Sequence, residues 1–207
     1  MKNDPIIVDG IVAGNVYPKY STRNPIAKFL MDGYLKALDR MVASIDPPSI
    51  HEIGCGEGYV ISRFANGKRV LAGSDFSEQV VRKAHQLWDT LNISFKVATV
   101  YELTPKGDCA HLVLCCEVLE HLKSPDVAIN KLAEIADPYL IISVPQEPLW
   151  RILNIMRGKY LLNLGNTPGH LNHWSKAGFL QLLNKQFEIL TVETPLPWTM
   201  VLCRARK

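Results

Sequence analysis

The chain has 207 residues, 47% of them hydrophobic and 21% charged, with 13 glycines and 13 prolines. Such fractions exclude a disordered tail, a collagen-like repeat and a disulfide miniprotein, and the length suits one domain with a substantial core. Lys and Arg total 23 against 20 Asp and Glu, and the resulting +3 is spread without a basic run, which argues against nucleic acid as partner.

Asp4 and Pro5 interrupt the start of the chain where a signal peptide needs an apolar core, and no stretch reaches the ~20 apolar residues of a membrane span. Cys55, Cys109, Cys115, Cys116 and Cys203 are odd in number and form no CxxC. Free thiols in a reducing compartment, hence a cytoplasmic protein, are expected.

In chain order, Ile26, Phe29, Leu30, Tyr34, Ala37, Leu38, Met41 and Ile45 fall on one face of a predicted helix that ends at Pro47-Pro48. A strand over 49–53 runs into Gly54-Cys55-Gly56-Glu57-Gly58, then a helix over 57–65 and a strand over 69–73. Ser77 caps the next helix, whose buried side holds Val80, Val81, Ala84, Leu87 and Trp88. Strands are predicted over 93–98, 111–116 and 139–144, with a helix begun by Ser124-Pro125-Asp126. Strand alternating with helix implies parallel strands and crossover helices, an α/β fold. Some 30 residues without strand signals follow Pro145, then a helix from Ser175 and strands over 187–192 and 198–204. The expected organisation is one domain over 1–207: an N-terminal cap (1–48), a cofactor-binding core (49–144), a lid (145–174) and a C-terminal helix with strands (175–207).

The segment from Glu52 to Gly58 reads E-x-G-x-G-x-G between a strand and a helix, where backbone passes close to a ligand and a helix start offers free N–H donors. Tyr59 stands where the dinucleotide fingerprint has its third glycine, which disfavours a nicotinamide enzyme. Asp75, at the end of the next strand, can accept both hydroxyls of a ribose lying over the loop. The plainer alternative is a tight turn and a helix cap.

With these residues, and with HLVLCCEVLEHL over 111–122, the chain resembles the class I S-adenosylmethionine-dependent methyltransferases, specifically the small-molecule enzymes of the ubiquinone-pathway type. The resemblance covers residues 50–144 and implies a doubly wound, mostly parallel seven-stranded sheet whose last strand is antiparallel. It also implies S-adenosylmethionine as cofactor and S-adenosylhomocysteine as product. Glu52, Gly54, Cys55, Gly56 and Gly58 would then face the methionine part, Asp75 the ribose and Phe76 the adenine. Thr99 and Val100 would lie at the adenine edge, and Cys115 or Cys116 would offer a carbonyl to the ammonium group, Cys116 being preferred. Tyr20 and Arg23 would close over the cofactor, Arg23 by pairing with its carboxylate, unless the segment is only a surface turn. Two departures stand out: Thr99 replaces the usual acid after the third strand, with Glu102 as a substitute, and His111 replaces the usual Asp.

Methyl transfer mainly requires aligning a nucleophile with the C–S bond, and a base only where the nucleophile keeps a proton. His121 is either such a base or a residue that pins its loop, the latter favoured. His170 is assigned to the acceptor side. His170 and His173 together lack a third metal ligand nearer than Glu147, so no metal is expected. Leu149, Ile152, Leu153, Met156 and Tyr160 form an apolar stripe beside Arg151, Arg157 and Lys159. It is a lid over a hydrophobic substrate, an interfacial helix touching a membrane through 149–164, or ordinary packing. The expected reaction is transfer of methyl to an oxygen or nitrogen of a small molecule. The rivals are a non-catalytic cofactor-binding or scaffold protein and, less favoured, a protein or nucleic-acid methyltransferase, the nucleic-acid case disfavoured because Cys115-Cys116-Glu117-Val118 is not the D/N/S-P-P-Y/F motif. The oligomeric state is not legible.

Overall fold

The computed structural model describes the backbone of residues 6–8, 11–13 and 22–206, and the side chains of 22–206. Tyr20 lies outside the described residues. A two-stranded antiparallel hairpin, β1 (Ile6–Val8) and β2 (Ile11–Ala13), precedes the main domain. Helix α1 (Pro25–Ile45) begins at Asn24, whose side chain accepts from the N–H groups of Ile26 and Ala27 at 3.0 and 3.1 Å. It ends at Asp46, held in the left-handed conformation at φ 44°.

Seven strands follow: β3 (Ser49–Ile53), β4 (Val70–Asp75), β5 (Ile93–Val97), β6 (Ala110–Cys116), β7 (Ala136–Pro145), β8 (Phe187–Glu193) and β9 (Trp198–Ala205). They form one sheet in the order β5-β4-β3-β6-β7-β9-β8. The β5-β4-β3-β6-β7 part is parallel, and β9 runs antiparallel to both β7 and β8. This is the expected doubly wound sheet with an antiparallel last strand. Strand order reverses between β3 and β6, so a crevice opens at their carboxyl ends, the place where ligands bind in such sheets.

Both faces of the sheet are covered, and alternate residues of one strand serve different cores. Leu112 and Leu114 of β6 pack with Tyr34, Leu38 and Met41 of α1, whereas Val113 and Cys115 pack with Ile129 and Leu132 of helix α4 (Pro125–Ile135). Helix α2 (Glu78–Leu87) starts at Ser77, whose hydroxyl accepts from Val80 N–H at 3.4 Å, and α3 (Pro105–Asp108) is a single turn. After β7 come α5 (Leu149–Met156), a 3-10 turn over Leu161–Asn163, and α6 (Lys176–Leu183), whose first turn is capped by Ser175. Among the described residues, no helix is long and apolar enough to cross a membrane.

Three local expectations change, and one that was open is resolved. Residues 57–65 form turns and a short 3-10 helix, Ile61–Phe64, because the left-handed Gly58 and the Asn66-Gly67 turn leave too little chain for a stable α-helix. Ile26 and Phe29 are 69% and 74% exposed rather than packed. Tyr34 is the first α1 residue to bond the sheet, at Ser143, and the helix runs antiparallel to the parallel strands, so its first turns overhang their carboxyl edge. Leu87 is exposed at the end of α2, where Trp88 turns inward to donate to Glu57 O at 2.7 Å. In α5, for which the sequence left lid, interface and packing open, Trp150 and Asn154 face inward, Leu149 and Leu153 are half-buried, and Ile152 and Met156 are exposed. The Asn154 amide donates to Gly165 O at 2.9 Å and Thr167 Oγ1 at 3.2 Å, satisfying a loop backbone that leucines could not.

Candidate active site

The crevice is floored by the turn after β3. Gly54 has φ 68°, and a Cβ there would stand 2.4 Å from Val118 Cγ2; at Gly58, φ 76°, it would stand 2.8 Å from the Phe95 ring. Both positions therefore require glycine on conformational and steric grounds. The loop is tied to β4 by Gly54 N–H and Cys55 N–H, which donate to Ser74 O at 2.8 and 3.0 Å.

Two buried acids shape it further. Glu52 Oε2 accepts from Ile61 N–H at 2.9 Å, which fixes the loop's exit. Asp75 accepts from Gly56 N–H through Oδ2 and from Ser77 N–H through Oδ1, both at 3.0 Å. Burial raises the Asp75 carboxyl above its ordinary 3.8, while the N–H donors of Ser77 and Gly56 pull it back. Phe76 N–H also donates to this carboxylate, which leaves it about one acceptor direction of its four. Ala98 N–H bonds Asp75 O at 2.9 Å, so Thr99 and the buried Val100 follow beside Asp75 and the half-buried Phe76. The carboxylate of Glu102, the proposed substitute acid, bends back onto Thr99, accepting from its N–H at 2.7 Å and its hydroxyl at 3.0 Å. Arg23 is exposed just ahead of α1.

Beyond β6, Cys116 sits at the strand tip with its thiol pushed up to about 12 by burial, so it stays protonated. The next residue, Glu117, was not singled out from sequence. It holds φ 60°, an uncommon conformation for a side chain of its size, at the carboxyl end of a central strand. Its carboxylate accepts from Trp198 Nε1 at 2.5 Å and from Ser143 Oγ at 3.3 Å, and Ser143 shares a 2.7 Å bond with the buried Tyr34 hydroxyl.

From Tyr34 a wall of five rings leads away from the strand tips. Tyr34 meets Trp198 at 5.0 Å between centroids, Trp198 meets Trp150 at 5.8 Å, Trp150 stacks on His170 at 6.0 Å, and His170 meets His121 at 4.9 Å. The two tryptophans gave no sequence signal beyond the flank of a helix and the start of a strand. Only the antiparallel pairing of β7 with β9, which sets Pro145 against Trp198, brings them together.

His121 and His170 come into contact across 49 residues of chain. His121 Nδ1 lies 2.9 Å from Gly169 O, the geometry of an Nδ1–H donor, and its Nε2 lies 4.0 Å from Glu120 Oε1. The loop around His170 is laced to the same turn, with Leu171 and Asn172 N–H donating to Glu120 O at 2.7 and 3.0 Å. Burial, then His121 and His173, lower His170 to about 3, so its ring is neutral near pH 7. Glu120, His121 and His170 each offer one metal-ligating atom, and these atoms lie within 4.8 Å of one another. The pairing considered from sequence is not assembled: His173 Nε2 lies 2.7 Å from Asn166 Oδ1, and Glu147 Oε2 accepts from Arg151 N–H at 3.4 Å. The ligand geometry instead unites a turn after β6 with a loop half a lid away, which linear spacing does not reveal.

Residues 50–138 match the family described as a methyltransferase domain. A ubiquinone biosynthesis O-methyltransferase of Coxiella burnetii is 24% identical over 165 residues, covering 72% of this chain and 70% of that protein. Magnesium protoporphyrin IX methyltransferase from Synechocystis, solved with S-adenosylhomocysteine, superposes with a TM-score of 0.69 at 21% identity over 90% of both chains. The N-methyltransferase NodS from Bradyrhizobium japonicum superposes with a TM-score of 0.65 at 15% identity, over 89% of this chain and 99% of that one. A glycine loop locked to an acid at the crevice of this sheet, the matching family model and the superposed structures together support S-adenosylmethionine-dependent methyltransferase activity of the class I type.

Proposed function

We propose that the chain methylates an oxygen or nitrogen of a small hydrophobic or lipid-linked molecule, with residues 145–174 as the acceptor-side lid. The observation that carries this reading is the ring wall from Tyr34 to His121, which begins beside the tip of β6 and ends at titratable groups. An apolar or aromatic acceptor would lie against Trp150 and Trp198. A ubiquinone biosynthesis O-methyltransferase and a magnesium protoporphyrin IX methyltransferase among the similar proteins are consistent with such a wall. A lipid-linked acceptor would arrive across 149–164.

In this reading Gly54, Cys55, Gly56 and Gly58 seat the methionine part of the cofactor, with Glu52 fixing the loop from beneath. Asp75 takes the ribose hydroxyls, Phe76, Thr99 and Val100 border the adenine, and Cys116 O takes the ammonium group. Arg23 and Tyr20 would belong to a closing segment. The acceptor's lone pair forms the new bond to the methyl carbon while the C–S electrons stay on sulfur, which leaves S-adenosylhomocysteine. A protonated acceptor loses its proton to His121 Nε2, whose ring is oriented by Gly169 O; His170, held neutral, keeps that ring in place.

A second reading is favoured by the ligand geometry. Glu120, His121 and His170 fit a divalent cation of the borderline kind that takes imidazole and carboxylate together. Such an ion would polarise an acceptor hydroxyl and lower its pKa, and the three side chains would then orient the acceptor rather than take its proton.

The test is incubation with methyl-labelled S-adenosylmethionine and separate lipid, protein and oligonucleotide fractions. Label extracted with the organic phase is the expected result. Label confined to protein or nucleic acid would overturn the acceptor class.

A further inference from the structure

We infer that Lys83 is a positioning residue for the cofactor: paired with Glu57, its ammonium offsets a second buried carboxylate next to Asp75 and keeps Asp75 an anionic acceptor. The inference rests on the reading in which Asp75 takes the ribose hydroxyls. Three elements supply the charges: Glu57 belongs to the glycine loop, Asp75 ends β4 and Lys83 lies on α2.

Glu57 is built into the loop. Its side chain is only 6% exposed, and its backbone carbonyl accepts from Trp88 Nε1 at 2.7 Å. The residue before it, Gly56, donates its N–H to Asp75 Oδ2 at 3.0 Å, so the loop sets Glu57 one residue from the bond that holds Asp75. Two carboxylates taken out of water side by side resist being ionised together.

Lys83 answers that charge from the helix. Its Nζ lies 3.3 Å from Glu57 Oε1, and its own side chain is 43% exposed. An aliphatic stem on α2 thus carries a hydrated ammonium to the rim of a covered carboxylate. The helix is fixed for this task at both ends. Asp75 Oδ1 accepts from the N–H of Ser77, the cap of α2, and Trp88 at the other end bonds the loop. Asp75, Gly56, Glu57, Lys83 and Ser77 therefore close a ring of contacts that holds two negative charges and one positive.

The other charged groups on the elements around Asp75 have different partners. Glu52 of β3 accepts from Ile61 N–H, Lys96 of β5 is held by Asp108, and Glu102 turns back on Thr99. On α2, Arg82 faces Glu78 and His85 Nε2 lies 3.2 Å from Phe95 O. Cys55 keeps its proton, since burial and then Glu52, Asp75 and Glu57 push its thiol up. At Asp75, burial raises the carboxyl most, the N–H groups of Ser77 and Gly56 oppose it, and the charge of Glu57 raises it again. Burial is fixed by the fold, whereas the charge of Glu57 can be offset by an ammonium, and Lys83 stands where it does so.

The test is calorimetric titration of S-adenosylmethionine from about pH 4 to about pH 8 in the full chain. Wild-type affinity should fall below a midpoint set by Asp75. Lys83→Gln should move that midpoint up by about half a pH unit or more, a loss of about threefold or more in affinity below it. Glu57→Gln should move it down by a similar amount, and the double variant should lie close to Glu57→Gln, because the ammonium acts through Glu57. Lys83→Arg keeps the charge and should follow the wild type, and all affinities should converge near the upper end of the range. A pair that only braced the loop would give another pattern: both single variants would lose affinity at every pH with the midpoint in place, and that result overturns the inference. So does a midpoint that moves in the same direction in both. A wild type whose affinity is as indifferent to pH as that of Asp75→Asn overturns the ribose role of Asp75, and the inference falls with it, a result separable from the other two because no midpoint exists to move.

Discussion

Trp198 donates its indole N–H to Glu117, 2.5 Å from Nε1 to Oε2, and so joins the first residue after β6 to the first residue of β9. The bond holds a carboxylate on a left-handed residue beside Cys116, and Ser143 and Tyr34 complete the network from β7 and α1. Trp198→Phe keeps a ring in the wall but removes the donor. We expect a loss of about 1.5–3 kcal/mol, the range for a hydrogen bond to a charged group. Combining it with Glu117→Gln in a double-mutant cycle should reveal a coupling of about 0.5–3 kcal/mol by denaturant unfolding. Additive effects would mean the two residues act separately.

Asp75 is the residue on which cofactor affinity should depend most. Asp75→Ala is expected to weaken S-adenosylmethionine binding at least about tenfold through the lost ribose and Gly56 bonds. Its pH dependence has a definite sign. Burial raises the folded-state carboxyl above 3.8, so the folded chain binds a proton that the unfolded chain has already released. The group's contribution to stability is therefore full below 3.8 and is lost as pH rises through the raised value. Cofactor affinity moves the other way, because ribose hydroxyls need an acceptor: it should fall as pH drops through that raised value. Calorimetry across that range should show the fall in the wild type and not in Asp75→Asn, which is already neutral.

Gly54→Ala tests the loop's shape. The left-handed conformation costs an L-residue about 1–2 kcal/mol, and the collision with Val118 adds overpacking of about 1–3 kcal/mol. The sum predicts a Tm lower by roughly 4–20 °C in a chain of this size. Val118→Ala in the same chain should recover the steric part only, because it removes Cγ2 and leaves the backbone strain. Full recovery would mean that φ 68° costs nothing here.

The sheet was legible in sequence because its strands are short, apolar and punctuated: 49–53 ends at a glycine and 111–116 is buried on both faces, so each reads without tertiary knowledge. The glycine loop and Asp75 were legible for a related reason. Backbone conformation and an acid at a strand tip are local features, and they recur in order. What stayed hidden depends on partners distant in sequence. The α5 stripe left lid, interface and packing open, because only the loop at 165–167, which needs hydrogen-bond donors, shows that Trp150 and Asn154 turn inward. Trp198 acquired its role only through the register that sets β9 against β7. Likewise His170 was noticed beside His173, its neighbour in sequence, whereas space pairs it with His121.

That last pairing gives the sharpest prediction about chemistry. If Glu120, His121 and His170 hold a divalent cation, dialysis against a chelator should lower turnover by at least about tenfold, and adding back Mn²⁺, Zn²⁺ or Mg²⁺ should restore it. Cofactor affinity should not change, since the glycine loop and Asp75 take no part in the cluster. Glu120→Gln should abolish the metal dependence along with the activity, because an amide keeps the size of the carboxylate and loses its charge. Turnover indifferent to chelation, yet lost in His121→Ala, would instead leave His121 Nε2 as the proton acceptor. The orientation supplied by Gly169 O then becomes the quantity to probe, through the pH dependence of kcat in His121→Asn, an amide that can replace the hydrogen bond but not the base.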